Sequence, residues 1–154
     1  MIREPKRPIL TKEDVKPTKE FLRVDGIFNC GVTKYKWEYL LLCRVAESCP
    51  EGDEPSPSGL GVNIPVFDEN SHALCLKHIN GETLKGYDVN DSRTIAVVNA
   101  DGRRSVVNLT SISSLRLAHS TDGIHFTVED EPIVPFEGVY ESWGMEDPRI
   151  TYLE

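Results

Sequence analysis

The residues of this chain that could do chemistry begin with two adjacent carboxylates. Glu146 and Asp147 stand in the run Gly144-Met145-Glu146-Asp147-Pro148-Arg149, with a guanidinium two residues beyond the second acid. A carboxyl group that keeps its proton near neutral pH can serve as a general acid, and burial or a neighbouring carboxylate raises its pKa to that end. A cation aimed at the carboxyl works the other way, so the direction of Arg149 matters. Taken alone, Glu146 to Arg149 also reads as a turn stapled by an ion pair. Two more residues carry fixed donors: the amide of Asn29, ahead of Cys30-Gly31, and the guanidinium of Arg44, which closes the apolar run Tyr39 to Cys43. Their plainer readings are a turn residue and a snorkelling surface cation. Trp37 and Trp143 offer flat faces on which a sugar ring can stack. Trp143 adjoins the carboxylate run and is the candidate of the two; Trp37 reads as packing.

Other side chains supply less. The four cysteines, Cys30, Cys43, Cys49 and Cys75, form no Cys-x-x-Cys pair and read as free thiols in a reducing compartment. His119 and His125 flank a turn with no third ligand spaced for a metal, so neither a metal site nor a cofactor is expected. The formal charge of -8 and pI near 5.0 disfavour nonspecific nucleic-acid binding. No apolar run approaches the ~20 residues of a membrane-spanning helix. The polar Met1 to Pro8 segment lacks a secretory h-region, and the expected location is cytoplasmic. The triplets Asn90-Asp91-Ser92 and Asn108-Leu109-Thr110 then read as chance glycosylation patterns.

The elements that must position these groups are short strands parted by turns. Ile27 to Tyr35 and Glu38 to Val45 predict a hairpin across Lys36-Trp37. Glu47 to Gly61, rich in Pro, Ser, Gly and acids, predicts a mobile surface loop. Ile64 to Phe67 and Ala73 to His78 read as strands, followed by a turn at Asn80-Gly81. Thr94 to Asn99 and Ser105 to Leu109 predict a hairpin over Asp101-Gly102, and Ser114 to Ser120 with Ile124 to Val128 a second over Asp122-Gly123. Thr11 to Val15 caps one helical turn at most, because Pro17 follows. The expected class is all-β: sandwich, barrel or propeller. Ile150 to Glu154 alternates like the opening of a strand with no return, which reads as the front portion of a longer architecture.

Four segments in order carry a resemblance. They are Phe28-Asn29-Cys30-Gly31, Leu41-Leu42-Cys43-Arg44-Val45, the stretch from Leu115 to Phe126 containing Asp122-Gly123-Ile124-His125-Phe126, and Gly144 to Thr151 containing Glu146-Asp147-Pro148-Arg149. Together with the lead-in Pro8 to Val15 they resemble glycoside hydrolase family 130, the β-mannoside phosphorylases and related β-mannosidases. The resemblance covers nearly the whole chain but only the front half of that family's catalytic domain. One departure is Cys30, where proline is usual.

The resemblance implies a partial, N-terminal half of a five-bladed β-propeller with its sugar site at the central axis. It implies Asp147 as the general acid, passing its proton through a sugar hydroxyl, and Asn29 and Arg44 as holders of the mannosyl unit. Glu146 and Arg149 belong to the same motif as supporting groups. The implied reaction of the full-length form is inverting phosphorolysis of a β-mannoside, releasing mannose 1-phosphate. Inorganic phosphate is the co-substrate and needs no general base. The alternatives are an inverting β-mannosidase, which needs a second carboxylate to activate water, and an inactive glycan-binding fragment. Half a ring exposes strand edges, so self-association is also expected.

Overall fold

The computed structural model describes residues 8–50, 59–136 and 139–153. Its largest unit is a four-stranded antiparallel sheet. β1 (Arg23–Tyr35) and β2 (Glu38–Ser48) form the first expected hairpin. Lys36 turns it with φ 54°, taking the left-handed state that a tight hairpin link requires although it is neither Gly nor Asn. β7 (Ser111–Ser120) pairs along β2, and β8 (Thr127–Val128) adds a short edge. Two further hairpins stand apart: β3 (Gly61–Asp68) with β4 (Ala73–Asn80), and β5 (Thr94–Val98) with β6 (Arg104–Leu109). The all-β class is as expected, in three separate sheets with no closed ring of blades among the described residues.

Apolar burial follows the strands. Val62, Ile64, Ile79, Leu84 and Ile95 gather into one buried cluster joining the two smaller hairpins. Leu22, Cys49, Leu74 and Ile112 form a second, against the large sheet. Burying such side chains contributes about 1.5–3 kcal/mol each. Among the described residues no helix is long and apolar enough to cross a membrane, and all four cysteines are free thiols.

Several sequence expectations are corrected in detail. The acidic loop does not begin at Glu47: Glu47 and Ser48 complete β2 and Gly61 opens β3, while residues 51–58 lie outside the described residues. Glu47 is fully buried because its carboxylate accepts hydrogen bonds from the Thr18 backbone N–H and hydroxyl, each at 2.5 Å. Asn80-Gly81 makes no simple turn. The Asn80 side chain accepts from Thr83 N at 2.8 Å and caps a single helical turn, α1 (Gly81–Leu84). The Asp122-Gly123 hairpin is shorter than expected, since the Asp122 carboxylate collects the N–H groups of Ile124 and His125 and holds that stretch out of the ladder. Ile150 to Leu153 forms no strand. The turn at Thr11 is as expected, a 3₁₀ turn Lys12–Asp14 in which Asp14 accepts from the Thr11 N–H at 2.8 Å.

Candidate functional site

The β1–β2 ladder is irregular at one place. Phe28 pairs with Arg44 and Gly31 with Leu42, so Asn29 and Cys30 together oppose Cys43 in a bulge. Asn29 takes φ 52°, a left-handed conformation that Asn tolerates better than most residues. The kink sends its amide to Asp147, where Nδ2 donates to Oδ1 at 2.7 Å.

Arg44 arrives from the neighbouring strand. Its guanidinium lies 4.9 Å from the centre of the Phe28 ring, and its Nε donates to Ser113 Oγ at 3.0 Å. That leaves the two terminal nitrogens free to fork. One donates to Asp147 Oδ1 at 3.2 Å and the other to Glu146 Oε1. Arg44 is largely covered, with a side chain 18% exposed, whereas Glu146 and Asp147 remain 48% and 50% exposed. The carboxylates therefore face open space from a fixed cationic base.

The carboxylate run is pinned to the sheet through β7. Gly144 forms a parallel bridge with Ser113, and Met145 N donates to Ser113 O at 2.8 Å. Gly144 has φ 87°, and a Cβ there would sit 2.2 Å from Ser113 O, so only glycine permits this approach. Asp147 itself has φ 48°. Arg149 does not aim at the Asp147 carboxyl. It donates to the backbone carbonyls of Asp147 and Pro148 at 3.2 and 3.0 Å, clamping the turn.

The electrostatics follow from this geometry. The Asn29 hydrogen bond above all holds the Asp147 carboxyl below the usual carboxylate range; burial pushes it up, and the Arg44 hydrogen bond and charge and the Arg149 charge add smaller downward pulls. Here the arrangement differs from the expected protonated acid: Glu146 is occupied by Arg44, and Asp147 stands as a carboxylate.

The structure thus brings Asn29, Arg44, Glu146 and Asp147 together and sets Arg149 directly behind them. Trp143 it places elsewhere, in a cleft of about 200 Å³ lined also by Val66, Phe67, Asn108 and Ser111. Ser113 was not legible as a site residue. Leu115 pairs with Arg44, which makes Ser113 the diagonal neighbour on the same face. That relation exists only once the β2–β7 register is known. Among the described residues, no group of three or more His, Cys, Asp or Glu side chains could hold a metal ion.

Comparison with known proteins adds the following. A family model described as beta-1,4-mannooligosaccharide phosphorylase matches residues 97–154. A beta-1,2-mannobiose phosphorylase of Listeria innocua serovar 6a is 37% identical over 147 residues, covering 95% of this chain and 39% of the relative. A beta-1,2-mannobiose phosphorylase from a Thermoanaerobacter species is 46% identical over 43 residues, 28% of this chain and 14% of the relative. The solved structure of the Listeria innocua beta-1,2-mannobiose phosphorylase in complex with beta-1,2-mannobiose superposes with a TM-score of 0.76 at 35% identity, covering 94% of this chain and 39% of that one. The chain spans about two fifths of the length of that relative.

Proposed function

Because the chain belongs to glycoside hydrolase family 130, corresponding to an N-terminal part of a longer relative, we propose that it supplies one wall of a β-mannoside-cleaving site. In this reading Asp147 is the proton donor, Asn29 and Arg44 hold the mannosyl unit, and Glu146 and Arg149 keep the acid and its cation in place. The observation that carries the reading is convergence: Asn29 and Arg44, 118 and 103 residues away in sequence, meet on one oxygen of Asp147. Groups gathered from distant segments onto one half-exposed carboxylate suit the hub of a propeller, and the complete architecture is proposed to be five-bladed.

Cleavage of a glycosidic bond needs a proton on the leaving oxygen while the sugar becomes oxocarbenium-like. Asp147, held as a carboxylate, must gain that proton. Sugar hydroxyls that take over the donors of Asn29 and Arg44, and a sugar ring that excludes water, both raise its pKa. The proton then reaches the leaving oxygen through a sugar hydroxyl. Phosphorolysis is favoured over hydrolysis because both relatives are beta-1,2-mannobiose phosphorylases. Glu146 shares Arg44 with the acid, stands on the same side of the site, and so is not placed to be a hydrolase's base. An inverting hydrolase places its base across the bond, ~6.5–9.5 Å from the acid.

The test uses the whole protein carrying this chain, supplied with β-1,2-mannobiose with and without inorganic phosphate. Phosphorus NMR is expected to show mannose 1-phosphate of inverted configuration only when phosphate is present. Turnover without phosphate would make it a hydrolase, and binding without turnover a glycan-binding module. The proposed partner is thus a β-mannoside, at a cytoplasmic location. By itself the 154-residue chain is expected to self-associate, since β1 is a sheet edge carrying exposed Val32 and Tyr35. Sedimentation velocity showing a single monomeric species would refute that.

A further inference from the structure

We propose that Cys30 and Cys43 form a reversible disulfide site, oxidised by a small-molecule disulfide, that controls the grip of Asn29 and Arg44 on Asp147. The site is built by the β1–β2 bulge. Asn29 and Cys30 together oppose Cys43 on the neighbouring strand, strands in a sheet run about 4.7–4.9 Å apart, and disulfides bridge Cα atoms ~4.4–6.8 Å apart. The two thiols are close enough across the strands to act on each other's titration. Each is covalently next to a residue that binds Asp147: Cys30 follows Asn29, and Cys43 precedes Arg44.

Exposure sets the order of events. Cys30 is half-buried and reachable, while Cys43 is fully buried. The Cys43 thiol beside it lowers the Cys30 thiol, and a lowered, reachable thiol is the better nucleophile of the two. The same partner, with burial, pushes Cys43 up, so it waits as the resolving thiol. Cys30 thiolate attacks one sulfur of the small disulfide, forming a mixed disulfide and releasing one small thiolate. Cys43 Sγ then attacks Cys30 Sγ as its proton leaves, forming the Cys30–Cys43 bond and releasing the second small thiolate. Two protein thiols lose two electrons and two protons in total, and the reagent becomes two thiols.

Bond formation draws sulfurs from contact distance to about 2.05 Å. Asn29, on the same bulge, moves with Cys30, and displacements of about 1 Å in a site can cost ~10²-fold in rate. The disulfide claim stands alone; only its effect on turnover rests on the function proposed above.

The experiment treats the whole protein with glutathione disulfide, then maps it with trypsin under non-reducing conditions. The expected product joins peptide 24–34, holding Cys30, to peptide 37–44, holding Cys43. β-Mannobiose phosphorolysis is expected to fall by at least about 10-fold and to return with dithiothreitol. Cys30→Ala is expected to keep the reduced-state activity and lose the sensitivity; Cys43→Ala, at a buried position, is the second variant. Only mixed disulfides at Cys30, or no cross-link, would overturn the proposal. So would a cross-linked protein of unchanged activity. Should the reduced protein cleave no β-mannoside, that reading fails by itself, and coupling is then read from the Asn29 side-chain amide NMR signal. A signal unmoved by cross-linking overturns the coupling, and a shifted one supports it.

Discussion

Two arginines on the same sheet, on strands that pair with one another, are used in opposite ways. Arg44 on β2 pairs with Leu115, and Arg116 on β7 pairs with Cys43, so the two guanidiniums leave opposite faces of the sheet. Arg116 is fully buried. It donates to Thr18 Oγ1 at 2.8 Å, the hydroxyl that in turn donates to the buried Glu47 carboxylate, and to the Glu129 carbonyl at 3.3 Å. Burial pushes its pKa down, opposed by Glu47 and by the acids Glu131 and Asp130. Arg44 instead spends its donors on two carboxylates that are half open to solvent. The first arrangement turns inward, with Arg116 Nε buried and unpartnered, and holds Thr18 against the sheet. The second leaves lone pairs of Glu146 and Asp147 facing outward, where a ligand hydroxyl can meet them. A charged network thus shows its role by where its unused hydrogen-bonding capacity points.

The largest effect expected from breaking this contrast lies on the open face. Asp147→Asn retains the shape and the tolerance for φ 48°, but cannot donate a carboxyl proton. The whole protein should lose about 10²–10⁴-fold in kcat, the usual contribution of a general acid, with an unchanged circular dichroism spectrum. Retained turnover would remove Asp147 from the chemistry. Next comes stability. Arg116→Met strands the buried Glu47 charge and is expected to cost about 3–5 kcal/mol. Arg44→Met frees two half-exposed carboxylates to rehydrate and should cost only about 1 kcal/mol or less. Urea midpoints of the two variants measure the difference directly, and equal midpoints would end the distinction drawn between the faces.

Much of the open face was legible from sequence, and little of the closed one. Asn29, Arg44, Glu146 and Asp147 lie in short segments that singly read as turns or surface charges, and only their order, read as a resemblance, singled them out. Glu47 was lost because a window rich in acids, Pro and Ser reads as a loop; a burial that depends on Thr18, 29 residues away, leaves no local pattern. Arg116 breaks the apolar alternation of β7 and gives no hint of its partners. Ser113 serves Arg44 only through the β2–β7 register, a tertiary fact. The two-residue link at Lys36-Trp37 and the Asp101-Gly102 turn were readable because they depend on neighbours in the chain. The Asp122-Gly123 stretch was readable only in part, because one carboxylate there satisfies backbone donors that a ladder would otherwise take.

The smallest effect is a titration, and it ranks the two donors that converge on Asp147. Its folded-state pKa lies below the ordinary 3.8, first through Asn29 and then through Arg44. A depressed carboxyl stabilises the fold at pH above its unfolded value, and that contribution disappears as pH falls through the lower folded value. Between pH 5 and 8 Asp147 should therefore add no pH dependence to stability, and its loss should begin only below about pH 4. Carbon-13 NMR of the Asp147 carboxyl follows this directly. Asn29→Ala should raise the midpoint more than Arg44→Met does, because the amide bond is the shorter and the stronger influence. A bound β-mannoside should raise it further, toward the protonated form that a proton donor requires. An unchanged midpoint with sugar bound would leave Asp147 a permanent carboxylate, and the open face would then be a binding surface like any other paired charge.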